Sequence, residues 1–129
     1  MRNGLSTAYS GLAMLVAVLV IVQFILAGMG IFGASSFEAH EAVGNILHGL
    51  TALVFVLALI GPRTGRDIGL GFALLAICTV QIFLPDTRDD APGLAAFHPL
   101  LALAVGGLAH AIGRRYIGRR GGSAAPVAG

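Results

Sequence analysis

Charge is the scarcest commodity in this sequence. Only 11% of its 129 residues are Asp, Glu, Lys or Arg, against 57% hydrophobic. A soluble domain of this length would need far more charge to cover its surface. Lysine is absent, so every basic residue is an arginine. A single cysteine, Cys78, excludes an intramolecular disulfide and reads as a small buried thiol. No Cys-x-x-Cys-His is present, which excludes covalent c-type haem attachment. Gly-x-Ser-x-Gly, His-Glu-x-x-His, the phosphate-binding loop and the dinucleotide fingerprint are all missing, so nothing supports a hydrolase. The short loops leave no room for a soluble catalytic domain, and no feature asks for nucleic acid.

What the sequence has is long apolar blocks. Residues 9–31, 42–60, 68–84 and 100–112 contain no charged side chain. A helix crossing ~30 Å of hydrocarbon needs roughly 20 residues. The first three blocks suffice, and the fourth does if it begins near His98 and passes Arg114, whose long side chain can reach the interface. Strand-like alternation is missing, which argues against a β-barrel. The expected fold is therefore all-α. It is an integral membrane domain over 1–120, with four transmembrane helices in an up-down antiparallel bundle. The helices are expected at about 8–31, 40–61, 67–84 and 98–116. The last nine residues, "GGSAAPVAG", read as a disordered tail over 121–129. The first block follows a lone Arg2 and is about twice the length of a signal-peptide core, so a retained helix is expected.

Arginine placement gives the orientation. Arg2, Arg63, Arg66, Arg114, Arg115, Arg119 and Arg120 fall at the N-terminus, in the second connection and at the C-terminus. Arg88 alone lies on the other side, among Glu38, Glu41, Asp86, Asp89 and Asp90. The positive-inside rule puts both termini in the cytoplasm of a bacterial inner membrane, with 32–40 and 85–97 outside. The net charge of +2 follows from this topology, and the basic run "RRYIGRR" reads as an inside anchor.

Sliding the chain by 58 residues reveals a weak internal repeat. "VQFIL" at 22–26 falls on "VQIFL" at 80–84, with Gln23 on Gln81. Seventeen residues after each glutamine comes a histidine, His40 on His98, and Gly11-Leu12 falls on Gly69-Leu70. A tandem repeat of two-helix hairpins would relate the halves by an axis along the membrane normal. Helices 2 and 4 then run parallel and lie diagonally across the bundle. His98 precedes Pro99, a residue suited to a first helical turn. His40 sits between Glu38 and Glu41. Both histidines are thus expected at the outer end, facing one another.

Two further histidines lie deeper. His48 is about 12 Å below His40, and His110 about 18 Å below His98, at 1.5 Å per residue. They are not repeat equivalents, because His48 aligns with Gly106. Ionisable groups inside a membrane mark function and face the bundle interior. Bis-histidine haem ligation needs one imidazole on each side of a porphyrin, hence two facing helices. His40 with His98 meets that requirement, and His48 with His110 would form a second layer. Gly44 and Gly106 would admit the porphyrin edge. Gln23 and Gln81 read as amide links between helices, or as groups that orient the imidazoles. Arg88 can pair with a haem propionate or with its neighbouring aspartates.

This layout resembles the four-helix core of membrane cytochromes b, where two diagonal helices each supply two histidines to two stacked haems. In that family the two ligands on a helix lie about four turns apart. Here the spacings are eight and twelve residues, which separates the inner pair from the pattern. The chain also resembles small bacterial four-helix membrane proteins without assigned activity, carrying Gln-x-x-Leu and later a His in each half. Here those are Gln23 to Leu26 with His40, and Gln81 to Leu84 with His98; the resemblance spans about residues 10 to 115. The expectation is a b-type cytochrome with one haem b, or two, exchanging electrons with a quinol or a redox partner protein. The competing expectation is a non-redox assembly subunit or small carrier. Two to four of its histidines would then bind a metal such as zinc or copper, with Glu38 or Glu41, or His48 or His110 would relay protons. Glycine-rich faces would also allow a homodimer.

Overall fold

The computed structural model describes residues 2–117; the proposed tail at 121–129, with Arg119 and Arg120, lies outside them. Four long helices dominate: α1 (Arg2–Ile31), α2 (Glu38–Ile60), α3 (Gly65–Phe83) and α4 (His98–Ile117). A 3₁₀ turn at Leu84–Thr87 and a single helical turn at Pro92–Ala95 carry the chain from α3 to α4. No strand occurs among the described residues. All four spans are long and apolar enough to cross a membrane.

Local chemistry sets each boundary. α1 starts at Arg2, six residues before the position read from hydropathy, because nothing in "NGLSTA" breaks a helix. It ends in a Schellman motif. Gly33 takes a positive φ of 72°, Ala34 N–H donates to the Met29 carbonyl (2.8 Å) and Gly33 N–H to that of Gly30 (3.2 Å). α2 carries Glu38 and Glu41 in its first turn, where carboxylates complement the helix dipole. It stops at Gly61-Pro62, since proline cannot continue the hydrogen-bond ladder. Thr64 caps α3 by accepting from the Asp67 N–H at 3.1 Å. Pro85 turns the chain out of α3, and Pro99 sits in the first turn of α4.

The helices form an antiparallel square. α1 packs on α2, α2 on α3, α3 on α4, and α4 back on α1, leaving α2 diagonal to α4. One stripe per helix is buried: Tyr9, Ala13, Val16 and Val20 on α1; Leu47, Thr51, Val54 and Ala58 on α2; Asp67, Gly71, Leu74 and Cys78 on α3; Ala102, Val105, Ala109 and Ile112 on α4. The alternating three- and four-residue steps are those of a bundle seam. The 58-residue offset holds along it. Tyr9, Ala13, Val16 and Val20 correspond to Asp67, Gly71, Leu74 and Cys78, and Leu47, Thr51 and Val54 to Val105, Ala109 and Ile112. The hairpins therefore share a packing register as well as a short motif.

Away from the seam the surface is apolar, as in Ile21 (63% exposed) and Leu103 (61%). Between such helices lipid removes most of the hydrophobic drive, so close packing of small residues holds them together. A Cβ on Gly71 would sit 3.2 Å from Phe55 Cα, and one on Gly113 only 2.9 Å from Met14 Cε. These glycines allow α3 to approach α2 and α4 to approach α1.

Candidate functional site

His40 lies in the first turn of α2, and His98 is the first residue of α4. The diagonal arrangement brings their rings to a centroid separation of 6.1 Å at an interplanar angle of 65°. Each ring is fixed by a bond to the preceding helix of its own hairpin. His40 Nδ1 lies 3.2 Å from the Gln23 carbonyl oxygen, and His98 Nδ1 lies 3.0 Å from that of Gln81. A carbonyl oxygen can only accept, so each Nδ1 carries the proton and donates it. In the neutral imidazole this leaves Nε2 with a free lone pair. Both glutamines thus act through their main chain to set tautomer and ring orientation.

The two rings line a cleft of about 280 Å³. Its walls come in repeat pairs: Val20 and Cys78, Gln23 and Gln81, His40 and His98, Gly44 and Ala102, Leu47 and Val105. Glu41, Asn45, Ile82, Pro85 and Asp86 complete the lining. The Gln23 side chain crosses to α2, where a Cβ on Gly44 would come within 3.0 Å of its Nε2. Its Oε1 is buried and has no hydrogen-bond partner. A buried amide oxygen without a donor is costly and invites a bound group or water.

The structure does not bring the other two histidines together. His48 turns toward α3 and lies 2.9 Å from Thr79 Oγ1 through Nε2. The Thr79 hydroxyl itself donates to the Leu75 carbonyl at 2.8 Å, so His48 is the donor in this pair. His110 is exposed on a groove between α1 and α4. Gly106 also leaves the cleft, since a Cβ there would meet Val20 Cγ1 at 3.2 Å, which makes it a contact between α1 and α4. Arg88 lies 3.7 Å from Asp89 in an exposed pair and does not line the cleft.

A second polar cluster, not foreseen from the sequence, closes the opposite end of the bundle. Asp67 is fully buried. Its Oδ1 accepts from Arg115 Nε at 2.6 Å, and its Oδ2 accepts from Tyr116 OH at 2.8 Å and from Thr64 Oγ1. Tyr9 OH donates to the Asp67 carbonyl at 3.1 Å. Charge-assisted bonds of this kind are strong, and here every carboxylate oxygen is satisfied. The cluster joins α1, α3 and α4. Its one sequence signal was Thr64-x-x-Asp67, a helix-capping pattern.

Residues 23–88, just over half of the chain, match a family of unknown function. The chain belongs to the DUF6220 family. The DUF6220 match begins at Gln23 and ends at Arg88, so it covers one histidine-to-glutamine bond whole and the glutamine of the other. No curated protein and no solved structure matches the chain.

Proposed function

We propose that this protein is a membrane b-type cytochrome with one haem b held between α2 and α4 by His40 and His98. The observation that carries the reading is the twinned imidazole arrangement. Metal-ligating histidines regularly donate their second ring nitrogen to a carbonyl, which fixes tautomer and raises ligand basicity. Both imidazoles do so here through equivalent bonds. The ring centroids lie 6.1 Å apart, so one metal-centred group would be held by the Nε2 atoms of both.

The choice of haem over a bare ion rests on donor number. Among the described residues no group of three or more His, Cys, Asp or Glu side chains could share an ion. Structural zinc needs four donors. Two imidazoles would suffice to hold a metal that brings most of its own donors, as haem iron does. The repeat relation adds to this, because one ligand bound by both histidines must offer them equivalent faces. The unpartnered Gln23 Oε1 offers a hydrogen-bond acceptor at the edge of the same cleft, while the Gln23 amide fills the space beside Gly44 that the sequence reading gave to a porphyrin edge.

Haem supplies reversible one-electron exchange. The chain's residues hold it, orient its ligands and shield it with Val20, Leu47, Cys78 and Val105. By the positive-inside argument the cleft opens at the outer face of the inner membrane, where a quinol or a redox protein would meet it. The resemblance to cytochromes b rests on residue layout alone, and the unpaired positions of His48 and His110 favour one haem over two.

The test is the reduced-minus-oxidised absorption spectrum of protein purified from haem-replete cells. A sharp α band of b type, lost in both His40→Ala and His98→Ala, is the expected result. A featureless wild-type spectrum sinks the proposal.

A further inference from the structure

The face between α1 and α4 carries a second groove, which shares Val20 alone with the histidine cleft. It encloses about 340 Å³ and is walled by Val18, Ile21 and Phe24 on α1 and by Leu103, Gly107 and His110 on α4. Its lining is apolar except at one end, where His110 sits exposed. Arg114 lies four residues further along α4, on the same face of the helix, and is also exposed. Among the described residues neither His110 nor Arg114 has a hydrogen-bond or ion-pair partner. Arg115, by contrast, is committed to Asp67.

The groove is therefore amphipathic lengthwise. It has an apolar trough of about 15 Å, measured along α1 from Met14 to Phe24 at 1.5 Å per residue. Two unpaired nitrogen-bearing side chains follow, toward the end of α4. An imidazole facing acyl chains is costly unless something satisfies it. A guanidinium one turn away adds a cation where a membrane helix meets the headgroup layer. Basic sites of this kind between transmembrane helices recognise anionic headgroups.

We propose that this groove is a binding site for one anionic phospholipid of the leaflet at the basic end. One acyl chain lies along α1 and α4, and the phosphate is held by Arg114 and His110. Charge selects this occupant. A second copy of the chain would bring a second Arg114 against the groove, and a neutral amphiphile would leave Arg114 unused. The cleft at His40 and His98 plays no part, so this inference stands or falls independently of haem.

Gly107 makes the test clean. A Cβ there meets nothing within 4 Å, so Gly107→Leu fills the trough without disturbing the packing beneath it. Gly11→Leu is the control, since Gly11 is equally open and does not line the groove. Delipidated full-length protein in detergent would be titrated with phosphatidylglycerol and, separately, with phosphatidylcholine. Bound lipid would be counted by native mass spectrometry. Wild type and Gly11→Leu are expected to take up one phosphatidylglycerol in preference to phosphatidylcholine, and Gly107→Leu to take up none. Removing one cation in Arg114→Gln should weaken the phosphatidylglycerol complex roughly fivefold. Equal uptake of both lipids would show ordinary annular lipid and overturn the proposal. So would unchanged uptake by Gly107→Leu, or a dimer that Gly107→Leu converts to monomer.

Discussion

His40 and His48 stand eight residues apart on one helix, yet their hydrogen bonds give them opposite chemistry. His40 donates from Nδ1 to a main-chain carbonyl, and His48 donates from Nε2 to a hydroxyl. The first leaves Nε2 free inside a cleft shared with another imidazole. The second ties the ring to α3, in a bond that links helices as polar groups in membranes commonly do. His48→Ala is therefore expected to keep the full absorption band that His40→Ala loses. Its cost is one interhelical bond, on the order of 0.6 kcal/mol, seen as a small drop in the melting temperature of detergent-solubilised protein. Loss of the band in His48→Ala would reassign the ligand. Sequence spacing could place these residues in depth, because rise per residue is uniform. It could not decide azimuth well enough to exclude His48 with His110, because that depends on which helix packs on each side.

The helix pattern was legible because charge-free blocks and Pro99 mark the spans; Gly33, Pro62 and Pro85, which end them, act through local backbone geometry seen in the structure. The beginning of α3 was harder to read. Asp67 carried no reading of its own, because its partners Arg115 and Tyr116 lie 48 and 49 residues away and meet it only when α3 packs on α4. Once packed, Asp67 is fully buried beside an Arg115 side chain that is 23% exposed. Breaking a buried pair by removing one partner leaves the other uncompensated. Asp67→Asn should thus destabilise the bundle by on the order of 3 kcal/mol. Arg88→Ala, which removes an ion pair exposed on both sides, should change stability by no more than about 0.5 kcal/mol. Thermal melts of the two variants in one detergent would check the contrast. Equal effects would mean that the Asp67 cluster does not hold α1, α3 and α4 together.

The 58-residue correspondence runs through the seam, the cleft walls and both histidine bonds, so the two hairpins are copies in physical role as well as in a few letters. Their symmetry breaks at the basic end, where Tyr9 corresponds to Asp67 and the buried carboxylate has no twin. The proposed redox site therefore sits at the symmetric end only, and no second imidazole pair continues toward the other face. This has a vectorial consequence. With one haem at the histidine end, electrons can be exchanged there and are not carried across the bilayer. Ferricyanide, a one-electron oxidant that does not cross membranes, should rapidly bleach the reduced α band in vesicles whose outward face carries residues 32–40 and 85–97. In inverted vesicles the same band should persist until detergent is added. The positive-inside rule assigns the first behaviour to right-side-out vesicles. Rapid oxidation from both faces would require a second redox centre deeper in the bundle, which would bring His48 or His110 back as ligands. Oxidation only in inverted vesicles would reverse the orientation while leaving the site intact.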